Sequence, residues 1–253
     1  MRALVWNVGS SSCRRTASAF TIVDVLVSMA VIGVLISIIA PSLDQANKTA
    51  RQVACRSNVR QLGIGIAMYA DEHGDRIPNS TNVGVAVGNT SDQPWKTMTL
   101  RVPGNPGQAG RWDGLGLLAE DYLTAPKLYY CPSHTGDFRF ADVVSAWNSE
   151  AMEVVGNYQY RARGPMQAPT SASPVQLTRR LSLIAPGAAL VADGMRTQAD
   201  FNHKVGANVL RANLSVVWYS DRSGKLAAVI PTNETQATVV RIEQAWSNLD
   251  APN

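Results

Sequence analysis

From Phe20 to Ala40 the chain is apolar almost without interruption. Of these 21 residues only Asp24 is charged. A run of about 20 apolar residues is long enough to cross a bilayer as a helix. Pro41 follows, where a helix loses an internal hydrogen bond and is expected to kink. Apolar positions then recur at short intervals through Leu43, Ala46, Ala50, Val53, Leu62, Ile66 and Tyr69, while Lys48, Arg51, Arg56 and Arg60 occupy much of the other side. That stripe predicts an amphipathic helix over 41–74. His73-Gly74-Asp75 supplies a glycine suited to a C-terminal cap. Helical throughout, Phe20 to Tyr69 would measure about 75 Å.

Beyond Pro78 the pattern changes. Residues 79–110 are rich in Gly, Asn, Thr and Pro and read as an irregular excursion with one short strand. Residues 114–123 read as a short helix, 156–160 as a strand, and 190–194 as a strand ending in a turn. Residues 208–210 and 214–219 read as two paired strands, and 163–180 as a loop. No internal repeat is visible. The predicted fold is α+β: a long N-terminal helix, membrane-spanning in its first half, with its outer half packed on a small antiparallel sheet. The division is a basic leader at 1–19, a transmembrane helix at 20–40, an extramembrane helix at 41–74 and a domain at 75–253.

Composition narrows this picture. A mean hydropathy of -0.07, with 45% hydrophobic and 17% charged residues, excludes a polytopic membrane protein. The net charge of +4 owes much to Arg2, Arg14 and Arg15, which lie before the apolar run with no acid among them. Their position leaves the N-terminus in the cytoplasm and the chain beyond Ala40 outside. No basic stripe with interleaved aromatics is present, so nucleic acid is not an expected partner. The apolar run is longer than a secretory signal core, and Pro41-Ser42-Leu43 is a poor cleavage site. Arg14-Arg15 suggests a twin-arginine signal, but the residues after it do not support one.

The cysteines are Cys13, Cys55 and Cys131. Loss of the leader would leave an even pair, compatible with one disulfide in an exported domain. The sequence leaves a Cys55–Cys131 bridge open. His73, His134 and His203 are scattered and make no metal-ligand spacing of the H-E-x-x-H kind. Cys131 and His134 form a nucleophile–base pair on paper, but three residues around a proline favour a structural cysteine. No phosphate or dinucleotide loop appears, and no catalytic residue is assigned. Gly63-Ile-Gly65 lies in the helical pattern and reads as helix packing. Asp193, Asp200, His203 and Asp221 offer oxygen and nitrogen ligands. Calcium takes about six to eight oxygens and no loop is dense in Asp, so Asp193-Gly194 reads first as a turn. No cofactor is expected, with bound calcium as the alternative.

Asp24 remains the anomaly. A carboxylate in lipid costs about 2.5–3.5 kcal/mol at a helix centre and less near an end. One reading is a plain signal anchor with Asp24 near the interface. The other comes from the order of residues: Ala19 precedes Phe20-Thr21-Ile22-Val23-Asp24-Val25-Leu26-Val27. This resembles the processing motif of type IV pilins and of the pseudopilins of type II secretion, where a small residue, usually Gly, precedes Phe-Thr-Leu-[Ile/Val]-Glu. Ala19 stands in place of Gly, and Asp24 in place of Glu. Further on, Cys55-Arg-Ser-Asn-Val-Arg-Gln-Leu-Gly63 and Tyr69-Ala-Asp-Glu-His-Gly-Asp-Arg-Ile-Pro78 resemble a pseudopilin-like family abundant in planctomycetes. The pieces around Gly114-Leu-Gly-Leu-Leu and Cys131-Pro-Ser are similar to it as well. In that family a His is followed nine residues on by a hairpin Asp-Gly. Here the His is His203 and the pair is Asn213-Leu214, which weakens any metal site built on that Asp; Asn213 is expected to accept the left-handed turn.

The resemblance implies a cut between Ala19 and Phe20 by a prepilin peptidase, with methylation of the new amine. It implies that Asp24 pairs with the N-terminal amine of a neighbouring pilin or pseudopilin subunit. Gly33 and Ser37, one turn apart, would allow close helix approach. The implied place is the inner membrane, single-pass, with the C-terminal domain periplasmic or extracellular and the lipid itself a partner. The alternative is a membrane-anchored exported binding module or enzyme that never assembles.

Overall fold

The computed structural model describes residues 21–83, 92–105, 107–165 and 178–251. Helix α1 runs Ile22–Glu72 and contains Pro41. The proline therefore does not end the helix: it removes one backbone donor, and the turns on either side carry the helix on. The C-terminus closes at Gly74, whose φ is +62°, and Asp75 N–H donates to Ala70 O at 2.7 Å. That six-to-one bond is the Schellman closure, which a left-handed residue permits.

The chain divides into two compact units, 1–47 and 48–253. In the first, the apolar residues of α1 are exposed along their length, Ile22 at 80% and Ile38 at 67%. In the second, α1 supplies core: Cys55, Val59, Leu62 and Ile66 are fully buried.

Among the described residues, seven short strands form two antiparallel sheets in the second unit. The smaller has β1 (Thr99–Val102) between β2 (Arg111–Trp112) and β3 (Val154–Val155). The larger runs β4 (Tyr158–Tyr160), β5 (Ala189–Asp193), β6 (Gly206–Arg211), β7 (Val216–Ser220) in sequential order. Its central strands are buried on both faces, so they read as continuous apolar runs rather than alternating ones. Leu210 of β6 joins Leu62 and Ile66 of α1 in one cluster. Val209 and Ala207 face the other way and join Ile242 and Trp246. Those two belong to a helix absent from the sequence reading, Val239–Asp250, with Thr238 as N-cap. Among the described residues two shorter α-helices lie between α1 and it, α2 (Phe140–Trp147) and α3 (Lys225–Val229), so Val239–Asp250 is α4; a 3-10 turn at Pro126–Tyr129 leads into Cys131. Arg161 and Arg163, both buried, fasten α4 to the end of β4 through Asp250 at 2.8 Å and Glu243 at 2.7 Å.

Glycines set the closest approaches. A Cβ at Gly63 would lie 2.6 Å from Leu210 Cδ1, and one at Gly65 2.7 Å from Leu123 Cδ1. The pair is where the helix meets the rest of the domain. The segment expected as a helix over 114–123 is a 3-10 turn at Gly114–Leu118 followed by turns. A Cβ on Gly116 would fall 1.8 Å from Leu100 O, so this stretch is pressed onto β1 and has no room for α-helical geometry. In the β6–β7 hairpin, Leu214, not Asn213, takes the left-handed conformation, with φ +64°. Asn213 Oδ1 accepts from Ser215 N–H at 3.0 Å and Ser215 Oγ–H at 2.6 Å. The side chain thus closes the turn and leaves the positive φ to its neighbour. Much of the loop expected over 163–180, together with 84–91, lies outside the described residues.

Candidate functional site

Two places in the chain carry unusual chemistry, and each lies within one unit. The first is the start of α1. Ala19 and Phe20 lie outside the described residues. Thr21 is the N-cap: its Oγ1 accepts from Asp24 N–H at 3.2 Å, and Asp24 Oδ2 accepts from Thr21 N–H at 3.0 Å and Thr21 Oγ1–H at 2.9 Å. This is a capping box with Asp in the place of Glu. The Thr21-x-x-Asp24 spacing in the sequence is the local signal of this cap. Both bonds end on Oδ2, and among the described residues no hydrogen bond ends on Oδ1. The Gly33 backbone has nothing within 4 Å of where a Cβ would stand. Ser37 Oγ–H is satisfied by Val34 O at 2.7 Å, which lets a hydroxyl sit in apolar surroundings. Ile22–Glu72 is the one helix among the described residues long and apolar enough to cross a membrane.

The second place is the centre of the domain. Cys55 of α1 and Cys131, after the Pro126–Tyr129 turn, are joined in a disulfide with Cα atoms 5.1 Å apart. Cys131 is therefore no free nucleophile. His134 points elsewhere: Nδ1 meets Asn202 Oδ1 at 2.6 Å and Nε2 meets Asp137 O. The histidine at the disulfide is His203, from the loop before β6, with Nε2 3.7 Å from Cys131 Sγ and 3.5 Å from Asp193 Oδ2. Asp193, at the end of β5, is fully buried and accepts from Asn208 N–H at 2.6 Å and Asn208 Nδ2–H at 3.1 Å. Among the described residues its Oδ1 has no hydrogen-bond partner. Burial raises the Asp193 carboxyl above the usual carboxylate range, opposed by His203, the Asn208 amides and the Asn202 side chain.

Of the four candidate ligands, the structure brings Asp193 and His203 together and separates the rest. Asp200 is held by Arg196 at 3.0 Å and Thr197 at 2.8 Å. Asp221 accepts the Leu226 and Ala227 amides at the start of α3. With neither free, the oxygens needed for calcium are not assembled among these residues. What does assemble is a mixed set: one ligand atom each from Cys55, Cys131, Asp193 and His203, all within 4.8 Å of one another. No local spacing in the sequence foretold it, because the four come from four separate segments.

The fold and these two places define an α+β protein with an apolar N-terminal helix and a disulfide-closed domain. The chain belongs to the family described as Protein of unknown function (DUF1559), which matches residues 44–208. No curated protein and no solved structure matches it.

Proposed function

We propose that this chain is a pilin-like subunit, cut between Ala19 and Phe20 by a prepilin peptidase and assembled through its N-terminal helix into a pilus or a type II secretion pseudopilus. The observation that carries the proposal is the exposed apolar first part of α1, up to Ala40, with Asp24 as its lone charge, one turn from the expected cut. A helix in lipid has no hydrophobic reason to associate, so packing and polar contacts must supply the attraction. Asp24 supplies a polar contact: Oδ2 holds its own first turn, and Oδ1 meets the new amine of a neighbour. Gly33 presents a surface without a side chain for close helix approach. The domain's role is structural in this reading. It is supported by a cysteine tied in a disulfide and by a His134 occupied with structural hydrogen bonds.

The test is intact-mass analysis of membrane-extracted protein, followed by cross-linking along the helix. The expected mature chain begins at Phe20, with or without a methyl group, and a retained Met1 overturns the processing step. Asp24→Ala should abolish subunit cross-links. Thr21→Ala, which weakens the cap but keeps the charge, should retain them. Equal loss in both variants would mean that Asp24 acts only as a cap.

A further inference from the structure

From the cluster around the disulfide we infer that the reduced chain holds a tetrahedral divalent cation of the zinc class through Cys55, Cys131, Asp193 and His203. The bridge and the cation are alternative occupants of one site. This rests on the domain's own geometry and is independent of filament assembly.

The donor set selects the metal. Two thiolates, an imidazole and a carboxylate form a tetrahedral set for zinc, whereas calcium and magnesium want oxygen. Bonds of about 2.0 Å to N and O and about 2.3 Å to S place tetrahedral ligand atoms about 3.3–3.8 Å apart. His203 Nε2 already stands 3.7 Å from Cys131 Sγ and 3.5 Å from Asp193 Oδ2. Two edges of the tetrahedron are therefore in place, and the required change is separation of the two sulfurs once their bond is broken. The surroundings suit a metal as well. Asn208 fixes the Asp193 carboxylate through two donors, and the Ser133 N–H points at Cys131 Sγ at 3.4 Å, where it would stabilise a thiolate. Asp193 is fully buried, yet among the described residues its Oδ1 has no hydrogen-bond partner. Buried polar atoms are nearly always satisfied, so a buried carboxylate with one oxygen unsatisfied, in a group with a histidine and two sulfurs, points to a ligand. A cavity of about 430 Å³ beside Cys131 is lined by Cys131, Pro132, Asn58 and Lys127.

The chemistry balances with a dithiol as reductant. Its two sulfurs become a disulfide, giving two electrons and two protons to the Cys55–Cys131 bond, which becomes two thiols. The cation then displaces both thiol protons. It links α1 to the Cys131 segment and the larger sheet, as the disulfide did, so the domain would remain joined in a reducing environment.

The experiment uses the full chain in mild detergent. One sample is reduced with a dithiol and freed of it without oxygen; a second stays oxidised. Both are titrated with Zn²⁺ against a chromophoric chelator, and with Co²⁺ for absorption spectra. The reduced chain should bind one equivalent, with an intense tetrahedral thiolate spectrum for Co²⁺, and the oxidised chain none. His203→Ala and Asp193→Asn should each weaken binding on the order of 10-fold or more. Equal binding by oxidised and reduced chains overturns the inference, as does an octahedral Co²⁺ spectrum. So does unaltered affinity in His203→Ala. Unfolding on reduction that Zn²⁺ does not reverse overturns it too.

Discussion

Removing the Cys55–Cys131 bridge is the most direct challenge to the proposed architecture of the domain. The two cysteines are 76 residues apart in the chain. Closing a loop of that length removes about 15 cal/mol/K of entropy from the unfolded chain, or about 4.5 kcal/mol at 25 °C. The double variant Cys55→Ala/Cys131→Ala avoids leaving buried thiols but removes two sulfurs from sites 0% and 4% exposed, which adds about 1 kcal/mol of lost packing. The expected destabilisation is therefore about 5 kcal/mol, a large share of the roughly 5–15 kcal/mol that holds a domain folded. The assay is urea unfolding of the full chain in mild detergent, followed by tryptophan fluorescence. Five of the six tryptophans, Trp95, Trp112, Trp147, Trp218 and Trp246, lie in the unit that begins at residue 48, so the signal reports mainly on that unit. Trp147 is especially close, donating to Tyr130 Oη at 2.8 Å next to Cys131. A loss below about 1.5 kcal/mol with an unchanged slope would refute the reasoning, because slope records exposed surface and its constancy would exclude a changed unfolded state.

Three smaller perturbations test other joints. Leu214→Gly should stabilise the protein by about 1 kcal/mol, since a left-handed non-glycine residue is strained by about that much; a lower melting temperature would contradict the turn assignment. Gly116→Ala should destabilise by about 3 kcal/mol, because the new Cβ meets the backbone oxygen of Leu100, which no rotamer change can move aside; a neutral result in chemical unfolding would place this turn away from β1. Asp75 should shape the acid limb of stability. Hydrogen bonds from the Ser182 side chain and amide hold its carboxyl below the usual carboxylate range. Its stabilisation is thus present above the unfolded pKa, near 3.8, and is lost as pH falls through the depressed folded value. Ser182→Ala should flatten unfolding midpoints measured from about pH 5 to 2.5, and an unchanged acid slope would assign the limb to other groups.

The elements that depend on local chemistry could be read from residues alone. The apolar run, the stripe through Leu62 and Ile66, the Gly74 cap and the strand runs at 190–194, 208–210 and 214–219 are carried by spacing and by backbone preference, which act over a few residues. Helix α4 had such a signal too, in Thr238 followed by Ile242, Ala245, Trp246 and Leu249 at helical intervals, yet its weak average hydrophobicity hid it. The turn at 114–118 could not be read this way: Gly-Leu-Gly-Leu-Leu has helical spacing, and only the backbone of Leu100 pressing on Gly116 decides against a helix. The centre of the domain was beyond local reading altogether. Cys55, Cys131, Asp193 and His203 are brought together by α1 lying on one face of a sheet whose strands come from distant parts of the chain. The sequence by itself determined which segments could be helix, strand or membrane-crossing, because those depend on neighbours in the chain. The tertiary structure alone decided which histidine meets the sulfurs and which buried carboxylate keeps one oxygen without a hydrogen bond among the described residues, because both depend on packing between segments that the chain order keeps far apart.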